Sequence, residues 1–261
     1  MSGQLFSAGR FFVVLIGLAS VTPALAGSKA PLDGQAILAR ATEVAGGERW
    51  ANARTLVMKG RGVFWGATGA EPRTIADSYT MWRVLDPNRV AAHGAEGKVR
   101  ITIKAGDRLI SDVGYNGSLT WTEKGITPQK EADAFWANNF GFGIIRHSLK
   151  PGFKAERVAD GAVDGHAAYM VRLIDPAGQV SLFGIDRKSF AIRMVGFGTP
   201  RGWHVRTYDR FFRPKNARWW LQPGKVTLTY NGVKQNELFW ESVEVNPPID
   251  ERIFDPPAAA Q

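Results

Sequence analysis

The 261-residue sequence contains no cysteine. Disulfides, thiol catalysis, cysteine-ligated zinc and a lipid-modified N-terminal cysteine are therefore excluded. Histidine is nearly as scarce: the only four are His93, His147, His166 and His204. No two of them stand three or four residues apart, the spacing of metal ligands on one helix face, so no metal site is expected. The sequence also lacks a G-x-S-x-G elbow, a P-loop and a G-x-G-x-x-G turn; Gly141-Phe142-Gly143 is without the third glycine. Carboxylates are scattered and mostly flank turns, where they hydrogen-bond backbone. No catalytic residue and no cofactor are expected, and the chain reads as a non-enzyme.

Acidic residues are outnumbered, 24 Asp and Glu against 33 Lys and Arg, for a net charge of +9. That balance favours acidic partners or maintains solubility. Long apolar runs are few. One lies at the N-terminus, where Arg10 precedes the apolar stretch 11–21 and Ala24-Leu25-Ala26 supplies a small-x-small pattern. The run is short for a membrane span, which needs about 20 apolar residues, and has the layout of an export signal. We expect residues 1–26 to be a signal peptide cleaved after Ala26. Residues 27–261 would then form a single domain in a bacterial periplasm, monomeric and large enough to bury a core without staples. Nucleic acid is not an expected partner there. Anionic lipid headgroups, or an acidic surface on an inner- or outer-membrane protein, fit the charge better.

What the chain has in quantity is alternation. Near its end Val226, Leu228 and Tyr230 alternate with Lys225, Thr227 and Thr229, the period of a half-buried strand. Asn231-Gly232 then makes a tight turn into a second strand, 234–245. The same pattern predicts strands over 55–65, 78–85, 89–93, 98–104, 108–113, 119–122, 179–186 and 190–198, and a strand carrying Tyr169 and Val171. About eleven strands joined by short links imply an antiparallel sheet that curls rather than stays flat. On 55–65, Leu56 and Met58 share a face with Gly60, Gly62 and Phe64, and the glycines mark a bulge or a close approach.

Two stretches read as helix. Asp33 can cap a helix bearing Ile37 and Leu38 that Gly46-Gly47 ends. Residues 129–149 interrupt the strands with an aromatic, glycine-jointed insertion containing Phe135, Trp136 and Phe140. It is either a core-packing crossover or a movable cover. The strands are also rich in methionine and aromatics. Either they fill one ordinary core, or a curved sheet keeps a greasy hollow that adapts to acyl chains. In the second case Leu56, Met58, Phe64, Tyr79, Met81, Tyr169, Val171, Val226, Leu228 and Phe239 would line it. Ile37, Leu38, Phe135, Trp136 and Phe140 would belong to its lids. A basic run including Arg206, Arg210 and Arg213 could form a face for phosphate headgroups or an acidic partner, or merely be solvated.

Several pieces together resemble the periplasmic lipoprotein-carrier group, the LolA/LolB-like outer-membrane lipoprotein-sorting proteins. They are Ile37-Leu38-Ala39-Arg40-Ala41 leading to Gly46-Gly47, Ile185-Asp186 before Arg187-Lys188-Ser189, Tyr208-Asp209, and the C-terminal run Val243 to Asp250 with Ile253-Phe254-Asp255-Pro256. The resemblance implies an α+β, mainly antiparallel fold: an unclosed, strongly curved β-barrel of about eleven strands with covering helices. It implies a hollow for acyl chains of lipids or lipoproteins, no chemistry, and an early-strand arginine that latches the cover, for which Arg61 is the nearest candidate. The absent cysteine matches the soluble carrier of that group and departs from the membrane-anchored acceptor. Relatives with this hollow also act as stress sensors. An envelope sensor gripping a protein through the basic face is therefore the alternative.

Overall fold

The computed structural model describes residues 31–139 and 142–257. The export segment expected at 1–26 and the lid residue Phe140 lie outside the described residues. From Leu32 onward the described chain forms one compact unit. It opens with α1 (Gly34–Ala45) and the single turn α2 (Gly47–Ala51). Asp33 caps α1 by accepting a 2.7 Å hydrogen bond from the Ala36 N–H.

A first meander follows: β1 (Thr55–Trp65), β2 (Pro72–Val84), β3 (Lys98–Ala105), β4 (Arg108–Tyr115), β5 (Thr120–Thr122) and β6 (Gly125–Ile126). Helix α3 (Gln129–Asn139) and a 3-10 turn (Phe142–His147) interrupt it. A second meander comprises β7 (Lys154–Arg157), β8 (Gly161–Val163), β9 (His166–Ile174), β10 (Val180–Asp186), β11 (Ile192–Thr199), β12 (Gly202–Asp209), β13 (Lys225–Tyr230) and β14 (Val233–Val245). A last 3-10 turn, Glu251–Phe254, ends the described chain.

The strands form one antiparallel sheet of fourteen, in the order β6-β5-β4-β3-β2-β1-β14-β13-β12-β11-β10-β9-β7, with β8 also on β9. Pairing of β1 with β14 fuses the two meanders, and the terminal strands β6 and β7 do not pair with each other. The sheet is thus an unclosed, curled barrel with helices over its concave side. The count exceeds the expected eleven in part because β6 and β8 have only two or three residues, too few to show a period of two; the equally short β5 falls on the strand expected at 119–122. The strand expected at 89–93 is a loop instead. There the Arg89 guanidinium turns inward to the carbonyls of Ala91 and Ala92 and to Glu96, leaving the backbone no ladder partner.

Gly60 marks a bulge. Between Lys59 and Gly60 the partner on β14 jumps from Ser242 to Trp240, leaving Glu241 unpaired. A Cβ on Gly60 would stand 2.0 Å from the Phe239 carbonyl oxygen, so only glycine permits this approach. The C-terminal run closes the convex side. Trp121 donates its indole N–H to the Phe254 carbonyl at 2.7 Å, and Asn246 accepts the Arg54 N–H at 2.8 Å.

Candidate functional site: an apolar hollow with a charged floor

The concave face encloses a cavity of about 600 Å³. Registry explains which side chains reach it. Leu56 and Met58 stand opposite Arg83 and Met81 on β2, and those in turn oppose Val99 and Ile101 on β3. Across β1, Gly62 faces Leu238 and Phe64 faces Asn236; these oppose Val226 and Leu228 on β13, which oppose Tyr208 and Arg206 on β12. The cavity therefore runs from a buried end at Trp50, Leu56 and Trp220 to a half-exposed end at Phe64 and Asn236. A smaller space of about 380 Å³ adjoins that end, sharing Phe64, Phe135, Leu228 and Asn236.

Of the residues expected to line a hollow, Leu56, Met58, Phe64, Tyr79, Met81, Val226 and Leu228 do so. Tyr169, Val171 and Phe239 do not. Val171 is fully buried on β9, in the solid core beside α1, and Tyr169 packs at its margin against Phe190. Phe239 lies on the convex face, opposite Arg61 and Lys225, because the unpaired Glu241 places Trp240 inward and its neighbour outward.

The covers divide likewise. Phe135 and Trp136 of α3 line the cavity. Trp136 donates its indole N–H to the Thr120 hydroxyl at 2.7 Å, and the Tyr230 hydroxyl donates to the Asn138 carbonyl at 2.6 Å, tying both ends of that turn to the sheet. Ile37 and Leu38 of α1 line nothing open; both are fully buried over β7 and β9, so α1 is a plug and not a lid. The basic run is not one face. Arg206 points into the hollow, whereas β12 stops at Asp209 and Arg210 takes a positive φ of 51°. Arg210 then stacks over Phe239 outside, and Arg213 donates to the Arg218 and Trp219 carbonyls. Arg61 is also on the convex face, 4.2 Å from the Phe239 ring centre, and does not reach α3 as a latch would.

The buried end carries charge that sequence reasoning missed. Glu96 is almost wholly buried and receives Arg83 at 2.8 Å and Arg89. Burial pushes the Glu96 carboxyl up, but Arg83, Arg89 and Arg146 outweigh it and hold it below its ordinary range. Arg146, on the 3-10 turn, rests 4.9 Å from the Trp50 ring centre and 4.8 Å from that of Trp220. Burial pulls its pKa down to about 9, against the pull of Glu96, and it stays charged at neutral pH. Burial also raises the Tyr79 phenol to about 12, so it remains neutral. The alternation of Val99, Ile101 and Ile103, and the step from Met81 to Arg83, were signals for part of this wall. Nothing local marked Arg146. Among the described residues no cluster of side chains could hold a metal ion.

No protein-family model matches the sequence, and no curated protein sequence matches it. Solved structures do. A LolA superfamily protein from Nitrosomonas europaea superposes with a TM-score of 0.52 at 12% identity, over 87% of this chain and 99% of that one. A putative outer membrane lipoprotein-sorting protein domain from Vibrio parahaemolyticus gives 0.48 at 11% identity, over 85% and 96% of the two chains. A DUF1329 family protein from Desulfovibrio piger gives 0.47 at 9% identity, over 87% and 98%. The chain therefore has the LolA-like fold, the level at which the resemblance of its sequence pieces holds.

Proposed function

We propose that this protein is a periplasmic carrier that holds acyl chains of lipids or lipoproteins in the hollow, without catalysis. The observation that carries the reading is the cavity of about 600 Å³ on the concave face, walled by Leu56, Met58, Phe64 and Met81 and left unfilled by the helices above it. Water in such a space gains little. Each methylene moved into it contributes about 0.8 kcal/mol, so even part of a chain is held. Methionine walls adapt to chains of differing shape. Release needs α3 to lift, which breaks the Trp136–Thr120 and Tyr230–Asn138 bonds. Cargo then passes to a membrane protein by relative affinity, with no covalent bond made or broken. The LolA-like fold supports this reading, as does the export pattern at residues 1–26. The inward turn of Arg206 weakens the alternative of a sensor gripping a protein through one basic face.

The test is native mass spectrometry of the purified protein with lipid extraction, followed by uptake of a fluorescent fatty acid after delipidation. Co-purified lipid, and saturable uptake that Leu228→Trp blocks by filling the space, are expected. An empty protein that takes up no chain would sink the proposal.

A further inference from the structure

The buried end of the hollow is rich in positive charge. Arg83, Arg89 and Arg146 converge on one buried acid, Glu96. Asp175 acts on Arg89 from further away, and its carboxylate is engaged by the N–H groups of Ala92 at 2.6 Å and Gln179 at 2.9 Å. Arg146 is the extreme member. It is 7% exposed, lines the cavity, and makes no ion pair with a carboxylate among the described residues. Its Nη1 donates to the Trp50 carbonyl at 3.1 Å, and its Nε is buried without a hydrogen-bond partner. A guanidinium has five donor hydrogens. Most of this one's capacity is unspent, in a place where an unbalanced charge is costly.

The rest of the cavity says what a balancing anion is attached to. From the arginines toward Phe64 the walls are Met58, Met81, Ile101 and Leu238, which suit a hydrocarbon chain. The volume of about 600 Å³ lies within the range of about 300–1,000 Å³ that holds one small ligand.

We infer that the hollow takes a single-chain amphiphile with an anionic head, a carboxylate or phosphate monoester, inserted head first. The head meets Arg146 and Arg83 at the buried end, and the tail runs past Met58 and Met81 to Phe64. This rests on the carrier reading above and adds to it the head-group class and the orientation. Glu96 remains the counter-ion of Arg89, so the anion adds a second negative charge to a cluster of three guanidinium groups.

The experiment is titration of the delipidated full chain with palmitate, cetyl phosphate and cetyl alcohol, and with inorganic phosphate as a competitor lacking a chain. The two anionic chains should bind about tenfold to a hundredfold tighter than the alcohol, the worth of a charge-assisted hydrogen bond. Arg146→Gln should erase that preference without weakening the alcohol, and Arg146→Lys should restore part of it. Should Arg146→Gln not fold, Arg83→Gln and the wild-type preference itself decide the matter. Equal affinity for palmitate and the alcohol overturns the head-group assignment and leaves the carrier reading standing. Unchanged palmitate affinity in both glutamine variants overturns it too, as does displacement of palmitate by inorganic phosphate at matching concentration. No uptake of any chain overturns both.

Discussion

Two ends of one sheet carry the same alternation and finish differently. Under α1, strands β9 to β11 bury Val171, Leu173, Phe183 and Val195 in one cluster with Ile37 and Leu38, and that end is solid. Under α3, strands β1 to β3 with β13 and β14 present an equally apolar face to empty space. The covering helix makes the difference. Helix α1 sends Ile37, Leu38, Ala41 and Ala45 down as one stripe. Gly34 seats it against β7, where a Cβ would stand 2.5 Å from the Ala155 oxygen. Helix α3 buries only Ala132 and Trp136, against Val99 and Val113 near the sheet's first edge. Trp136 is held at the rim by Thr120, and in the turn that follows Ile144 and Ile145 are buried in the core while Gly143 and the charged Arg146 line the cavity. A hollow arises where the cover is short of aliphatic bulk, not where the sheet is unusual.

Removing a large side chain should separate the two ends most sharply. Phe183 is fully buried in the solid end. Phe183→Ala should cost about 3–5 kcal/mol through lost transfer and a residual cavity. Phe64 has partners on one side only, because the other faces open space. Phe64→Ala should cost about 1 kcal/mol, since few dispersion contacts are lost. Urea unfolding at unchanged m-value measures both. Equal losses would mean that the two ends are packed alike.

Acid should act through the buried histidines. His204 stacks on Phe197 at 4.4 Å between ring centres, and His93 lies on the same ring at 4.6 Å. The His204 Nδ1 lies 3.1 Å from the Tyr230 hydroxyl, whose proton goes to Asn138, so Nδ1 carries the hydrogen. Burial, then Arg206, lowers the His204 pKa from 6.5 to about 2. Burial lowers His93 and His147 as well. Below pH 6.5 the unfolded chain takes up protons that the folded one refuses. Stability is therefore full above that pH and falls as pH drops, by at most about 1.4 kcal/mol per pH unit for each histidine. The carboxylates held low against burial, Glu96 by Arg83, Arg89 and Arg146 and Asp186 first by the Ser189 N–H and then by Arg193, lose their contribution only as pH falls through the carboxylate range. Urea midpoints at pH 7 and pH 5 should differ, and less so in His204→Asn. A flat profile would show that these imidazoles are not held neutral.

Much of this was legible in the alternation itself. Leu56, Met58, Met81, Val226 and Leu228 each face inward as the period of two requires. The failures have physical sources. Val171 alternates just as Leu228 does; only the helix landing on it differs, and that is a long-range fact. Phe239 was misplaced by the single extra residue at Glu241, since a bulge reverses every later side chain while leaving the local pattern intact. Arg206 and Arg210 look like partners four residues apart, but the strand ends between them. Arg146 sits in a turn with no periodicity, and its burial depends on Trp50 and Trp220, distant in sequence and converging only in the fold.

The smallest effect tests the assignment of faces. Arg61 and Arg206 are both strand arginines, one outside and one inside. Arg61 is half exposed, stacks over Phe239 and approaches Glu241 at 3.8 Å. An exposed cation–π contact and a surface ion pair are each worth about 1 kcal/mol or less. Arg61→Ala should therefore shift the urea midpoint slightly and leave fatty-acid uptake unchanged. Arg206→Ala removes a side chain from the cavity wall and should alter uptake. Were Arg61→Ala instead to change the rate of uptake, a latch across the hollow would be operating from β1. The convex placement of that side chain could not then describe the state that binds cargo.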